Sequence, residues 1–134
     1  MSAEVTLDEL VKAIEQYDIA YLVSVGEDSQ PHVVAVDPVP REGRLRIVEP
    51  GPHTRRNIAT HPSITLLWAP RQPTGYSLIV DGLGALHDDR LDITPTRAIL
   101  HRAATPSHAH TDGGCCGDCR HISLADPHSA SLEL

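Results

Sequence analysis

The sequence predicts a mainly β protein of the α+β type, an antiparallel sheet closed into a small barrel with a few short peripheral helices. Three observations carry that prediction. Short apolar segments with period-two alternation follow one another through the middle of the chain, separated by turn-forming residues. The helical periods between them are local and do not alternate with the strands as the crossovers of a parallel sheet would. The apolar residues are chiefly Val, Ile, Leu and Ala, with no Phe, one Trp and three Tyr, and the β-branched members favour strands. A sheet so rich in Val and Leu needs its edges closed, which a barrel provides. The 134 residues fit one domain.

Each element has its own signal. Thr6 and Glu9 form a capping box, and Leu7, Leu10, Val11, Ile14 and Tyr17 recur at helical spacing, so residues 7–17 read as an amphipathic helix. Residues 20–25 and 32–36 are two strands around a turn at 27–31, a hairpin. A turn at Arg41, Glu42 and Gly43 leads to a third strand over 44–49. A short helix over 54–61, capped by Thr54, is stopped by Pro62, and a fourth strand covers 64–69. After a Pro-rich connection at 70–75, residues 76–87 form a long strand. Gly82 and Gly84 within it mark a bulge or the close approach of a ligand or backbone. Thr94 and Pro95 read as the cap and first position of a helix reaching about residue 103. Residues 107–134 show neither period and read as a tail.

Charge and composition exclude several classes. The net charge of −7 and pI near 5.6 argue against nucleic acid, whose binders present a basic surface. No run of 18 apolar residues exists to span a membrane. The first ten residues lack the basic and apolar regions of a secretory signal. All three cysteines fall in Cys115, Cys116 and Cys119, unlike a secreted disulfide framework. The expected location is the cytoplasm.

Against that acidic background, Arg55 and Arg56 stand out. They follow Thr54 at a helix start, in a chain whose only lysine is Lys12. Free backbone N–H groups and the positive end of the helix dipole favour an anion there. Guanidinium groups bind phosphate oxygens in pairs. The bland alternative is a capped surface helix carrying two solvated arginines. His32, His53 and His61 flank the same region and read as ordinary strand, loop and pre-proline residues.

The succession of these pieces resembles the FMN-binding split-barrel family, which includes the pyridoxamine phosphate oxidases and the deazaflavin-dependent reductases. The likeness rests on residues 20–25 with 30–36, on 45–48 running into 54–58 and 61–66, and on 76–82 with Gly84 and Ala85. It covers about residues 5–103. The resemblance implies a split barrel over residues 1–106 and is silent on the Cys/His-rich tail over 107–134, which is not a family feature. It further implies a homodimer with FMN, or a deazaflavin coenzyme, at its interface. Thr54, Arg55, Arg56 and Asn57 would hold the cofactor phosphate, with Arg56 the preferred anchor because it directly precedes Asn57. Val34, Val36, Val48 and Glu49 would form the approximate floor under the ring, and Ser77 would lie near it. The activity implied is a small-molecule oxidoreductase with no side chain named as catalytic, because the flavin carries the electrons. The extra arginine and C-terminal residues of the oxidase substrate pocket have no match here, so pyridoxamine phosphate is not the expected substrate.

Two rival readings remain. The barrel could hold flavin or haem without turnover, for storage, transfer or sensing. Alternatively the tail is the working part, as a metal or redox sensor. His110, Cys116, Cys119 and His121 could make a tetrahedral zinc site, but only the Cys116 and Cys119 pair is regularly spaced. A Gly/His/Cys tail that takes up metal adventitiously explains the same residues.

Overall fold

The computed structural model describes residues 3–5, 7–103 and 118–124, with side chains over residues 8–103. Among the described residues, nine strands and two helices follow in the order β1 (Ala3–Val5), α1 (Leu7–Ile14), β2 (Ala20–Val25), β3 (Pro31–Val36), β4 (Val39–Arg41), β5 (Arg44–Val48), α2 (Pro52–Thr60), β6 (Ser63–Trp68), β7 (Ser77–Leu86), β8 (Arg90–Arg102) and β9 (Asp118–Leu124). The strands make one sheet in the order β1-β9-β8-β7-β6-β2-β3, while β5 pairs with both β4 and β8. Every pairing is antiparallel except β1 with β9. The architecture is a mainly β split barrel.

The core follows the alternation. Ala20 and Leu22 on β2, Ile64, Leu66 and Trp68 on β6, and Leu78 and Val80 on β7 point inward and are buried. Leu45, Ile47, Leu91 and Ile93 meet them from β5 and β8, and Leu10, Ile14 and Ile58 from the two helices. Trp68 is part of this core rather than a shield over a ligand. Among the described residues no helix is long and apolar enough to cross a membrane.

The largest correction concerns residues 94–103, which are strand and not helix. Thr94 and Pro95 lie inside β8. Pro95 sits where β8 changes neighbours: before it, Arg90 to Ile93 pair with β5, and after it, Ala98 to Arg102 pair with β9. The register with β7 also shifts there, between Asp81 and Gly82, and Gly82 faces Pro95. A residue without an N–H is tolerated at such a break in the ladder. The glycine is required, because a Cβ on Gly82 would lie 2.7 Å from the Thr94 carbonyl oxygen. That bulge was expected from the glycines alone.

Smaller differences have equally local causes. α1 ends at Ile14, and Tyr17 follows in a turn that sends its hydroxyl to the Tyr76 carbonyl at 2.8 Å. Thr6 lies outside the described residues. Helix α2 begins two residues before Thr54, because Pro52 presets the first helical turn and Gly51 takes the cap position. Strands β1 and β4 were not expected. Residues 118–124, which showed no period in sequence, form β9 between β8 and β1.

Candidate functional site

A cleft of about 410 Å³ opens between β3, the end of β5 and the start of α2. Its sides are apolar, formed by Val34 and Val36 from β3 and by Ile47 and Val48 from β5. Val48 is 70% exposed. Glu49, Pro50 and Gly51 carry the wall from β5 into α2. Glu49 holds a left-handed φ of 49° while its N–H donates to the Asp89 carbonyl at 2.7 Å. Backbone in that region is strained for a non-glycine residue, and the bond to Asp89 holds the turn that aims α2 at the cleft.

The far end of the cleft is suited to an anion. Gly51, Pro52, His53 and Thr54, the first turn of α2, all line it. No side chain caps this helix start, and its first turn carries no acidic residue. Its N–H groups and dipole are therefore uncompensated by the chain. Thr54 is only 3% exposed, yet its hydroxyl has no hydrogen-bond partner among the described residues. Among the described residues no buried side-chain polar atom lacks a partner, so this hydroxyl is reached from the cleft, where water or a ligand can bond to it. His32 and His53 stack at the rim, with ring centroids 4.0 Å apart and 23° between planes.

The fold thus brings Val34, Val36, Val48, Glu49 and Thr54 into one cleft. The other expected residues are placed differently. Arg55 donates to the carbonyls of His87, at 3.0 Å, and Asp88, so it ties α2 to the β7–β8 turn. Arg56 is exposed beside the cleft, with no ion pair or hydrogen bond from its guanidinium among the described residues. Asn57 is buried and donates to Ser24 Oγ at 3.1 Å, joining α2 to β2. Ser77 begins β7, pairs with His101, and does not line the cleft. Of the four expected metal ligands, His110 and Cys116 lie outside the described residues. Cys119 and His121 stand two apart on β9, in register with His101 and Ile99.

A polar node the sequence did not reveal lies under the β7–β8 turn. Asp92 is 7% exposed and accepts from Arg46 Nε at 3.0 Å and from Arg90 Nε at 3.3 Å. The His87 Nε2 atom is 3.4 Å away. Burial pushes the Asp92 carboxyl up, but the hydrogen bonds and charges of Arg46 and Arg90 outweigh it and hold the group below its ordinary value. Only the cross-strand pairing of Arg46 with Asp92 makes this cluster, and no spacing along the chain encodes it.

The apolar sides of the cleft thus meet the open start of α2 at Thr54. Solved structures share this architecture, that of the pyridoxamine phosphate oxidase-like split barrels. A protein of the pyridoxinephosphate oxidase family from Clostridium acetobutylicum, related to general stress protein 26, superposes with a TM-score of 0.58 at 16% identity, over 72% of this chain and 87% of its own. An F420 reductase gives 0.52 at 20% identity, over 65% and 93%. A heme binding protein from Mycobacterium smegmatis gives 0.58 at 10% identity, over 90% and 60%. No family model matches the sequence. Two uncharacterised mycobacterial proteins, Mb0449c of Mycobacterium bovis and MT0457 of Mycobacterium tuberculosis, are each 39% identical over 132 residues, 87% of this chain and 93% of their own. The chain belongs to the family of these two proteins, with the split-barrel fold.

Proposed function

We propose that this protein is a flavin-nucleotide-dependent oxidoreductase acting on a small molecule. The observation that carries the reading is the junction of an apolar cleft with the uncapped first turn of α2, where Thr54 keeps an unpartnered hydroxyl. In this reading Val34, Val36 and Val48 pack against the flavin ring and exclude water from one face. Thr54, the α2 N–H groups and Arg56 hold the phosphate, and Glu49 borders the ring. Arg55 and Asn57 act indirectly, by fixing α2 to the β7–β8 turn and to β2. The cleft takes the FMN part of a flavin nucleotide, and a deazaflavin coenzyme is the alternative. When bound, the flavin supplies hydride transfer, with a reduced nicotinamide as the donor.

The functional unit is a homodimer in this reading. Tyr21, Val33 and Leu83 are exposed on the outer face of the sheet. In register beside them run Val23 on β2, Leu67 on β6 and Ile79 on β7, each half-buried. A second copy would cover that face, and Ser77 would meet the ring from the partner's side. Light scattering on the purified protein tests this, and a monomer that still binds flavin contradicts it.

Absorbance of the purified protein, followed by titration with FMN if it is colourless, tests the cofactor. A second reading, haem binding without turnover, is favoured by the imidazoles of His32 and His53 on the cleft rim. The two readings give different visible spectra. Oxidation of a reduced nicotinamide by the loaded protein separates an enzyme from a carrier.

A further inference from the structure

The cleft continues past the start of α2. A second hollow of about 260 Å³ adjoins it, and His53 lines both. One wall is the turn after β2, with Gly26, Glu27 and Asp28; the other is Arg56 and Asn57 of α2. The balance changes across His53. The first cleft has apolar sides with Asp37 and Glu49 on its lining, whereas the second has no apolar side chain and offers two carboxylates, a guanidinium and an amide.

Several of these groups lack partners. The side chains of Arg56 and Glu27 have none among the described residues. Asp28 uses one carboxylate oxygen to accept from the Gln30 N–H at 3.1 Å. Asn57 is 4% exposed, and its Nδ2 donates to Ser24. Its Oδ1 has no hydrogen-bond partner and faces Gly26, 3.1 Å from where a Cβ would stand. No buried side-chain polar atom lacks a partner among the described residues, so this oxygen is open to the hollow, where solvent or a ligand can reach it. Any side chain at Gly26 would crowd both Asn57 and Asp28, each at 3.1 Å.

We infer that this hollow is a second subsite, for the nucleoside that a dinucleotide flavin carries beyond its phosphate. The inference rests on the flavin reading. A phosphate held by Thr54 and Arg56 stands where the two hollows join, so whatever is attached to its far side enters the second. There the free carboxylate oxygens of Glu27 and Asp28 accept from ribose hydroxyls, as an acidic residue does in other dinucleotide sites. The Asn57 oxygen supplies a further acceptor, and the exposed His53 ring gives a purine a surface to stack on. An anionic extension, such as the oligoglutamate tail of a deazaflavin coenzyme, instead meets two like charges. FMN ends at its phosphate and leaves the hollow to water. The expected order of affinity is FAD, then FMN, then the oligoglutamyl deazaflavin.

Titration of the full-length protein with these three cofactors at one ionic strength tests the order. FAD should bind at least about tenfold tighter than FMN, a difference of about 1.4 kcal/mol. The double variant Glu27→Gln, Asp28→Asn should lose most of that ratio and gain affinity for the deazaflavin. Gly26→Val, which fills the hollow, should bring FAD down to the level of FMN, with circular dichroism confirming the fold. FMN binding with no advantage for FAD overturns the subsite and leaves the flavin reading standing. An oligoglutamyl deazaflavin that binds best overturns it as well. Failure of all three to bind removes the flavin reading and this inference together.

Discussion

Arg55 and Arg56 are neighbours in sequence and opposites in use. Arg55 joins the closed side of α2, where its guanidinium is spent on two carbonyls of the β7–β8 turn. Next to that turn, Asp92 is met by Arg46, Arg90 and His87. Arg56 belongs to the open side, where Thr54, Arg56 and one end of Asn57 have no complement. The closed side shows what this chain does when a polar group serves only the fold: it supplies a partner. On the open side the complement is missing among the described residues, and that contrast singles out the candidate site better than the number of charges does.

Experiments can break the contrast. The largest effect is expected at the closed node. Asp92→Ala leaves two guanidinium groups facing each other in a partly buried place, and chemical denaturation should show a loss of about 3 kcal/mol. Arg56→Ala should leave stability within about 0.5 kcal/mol while flavin affinity falls about thirtyfold, or about 2 kcal/mol. Unchanged flavin affinity in that variant removes Arg56 as the phosphate anchor. Arg55→Ala should do the reverse, with about 1 kcal/mol of stability lost and the smaller change in affinity. Should Arg55→Ala weaken binding more than Arg56→Ala, the two arginines have been assigned to the wrong sides.

The smallest and most diagnostic effect is on acid stability. A carboxyl whose pKa is lowered by folding adds stability that is complete above its unfolded value, here 3.8. That stability is lost as the pH falls through the lower folded value. Asp92→Asn should therefore flatten the fall in stability below about pH 4. An unchanged acid profile would show that Asp92 is not the group that titrates there.

Much of the barrel was legible because burial on one face imposes a period of two. Strands β2, β3, β6 and β7 lie within a residue or so of where the alternation put them, and the glycines of β7 announced its bulge. Thr94 and Pro95 misled for a definable reason. A cap followed by a proline marks a place where an N–H is dispensable, and both a helix start and a break between strand partners meet that condition. Only the pairing of β8 with β5 on one side of Pro95 and β9 on the other decides between them. Thr54 was legible as a residue at the start of α2 that lines the cleft, but the different placements of Arg55 and Arg56 were not. Whether Arg55 reaches His87 and Asp88 depends on a turn more than thirty residues away. The Asp92 node and the second hollow were invisible for the same reason, since each is assembled by tertiary contacts alone.

The parallel pair β1 and β9 bears on how the edge of the sheet is closed. Ala3 aligns with Ile122, so strands far apart along the sequence meet there, and residues 118–124 cover the edge of the second half of β8. Such long-range closure is slow, and an open edge invites pairing with another chain. A form of the protein without residues 118–124 would thus keep the core formed by the described side chains and still be more prone to stick to its neighbours.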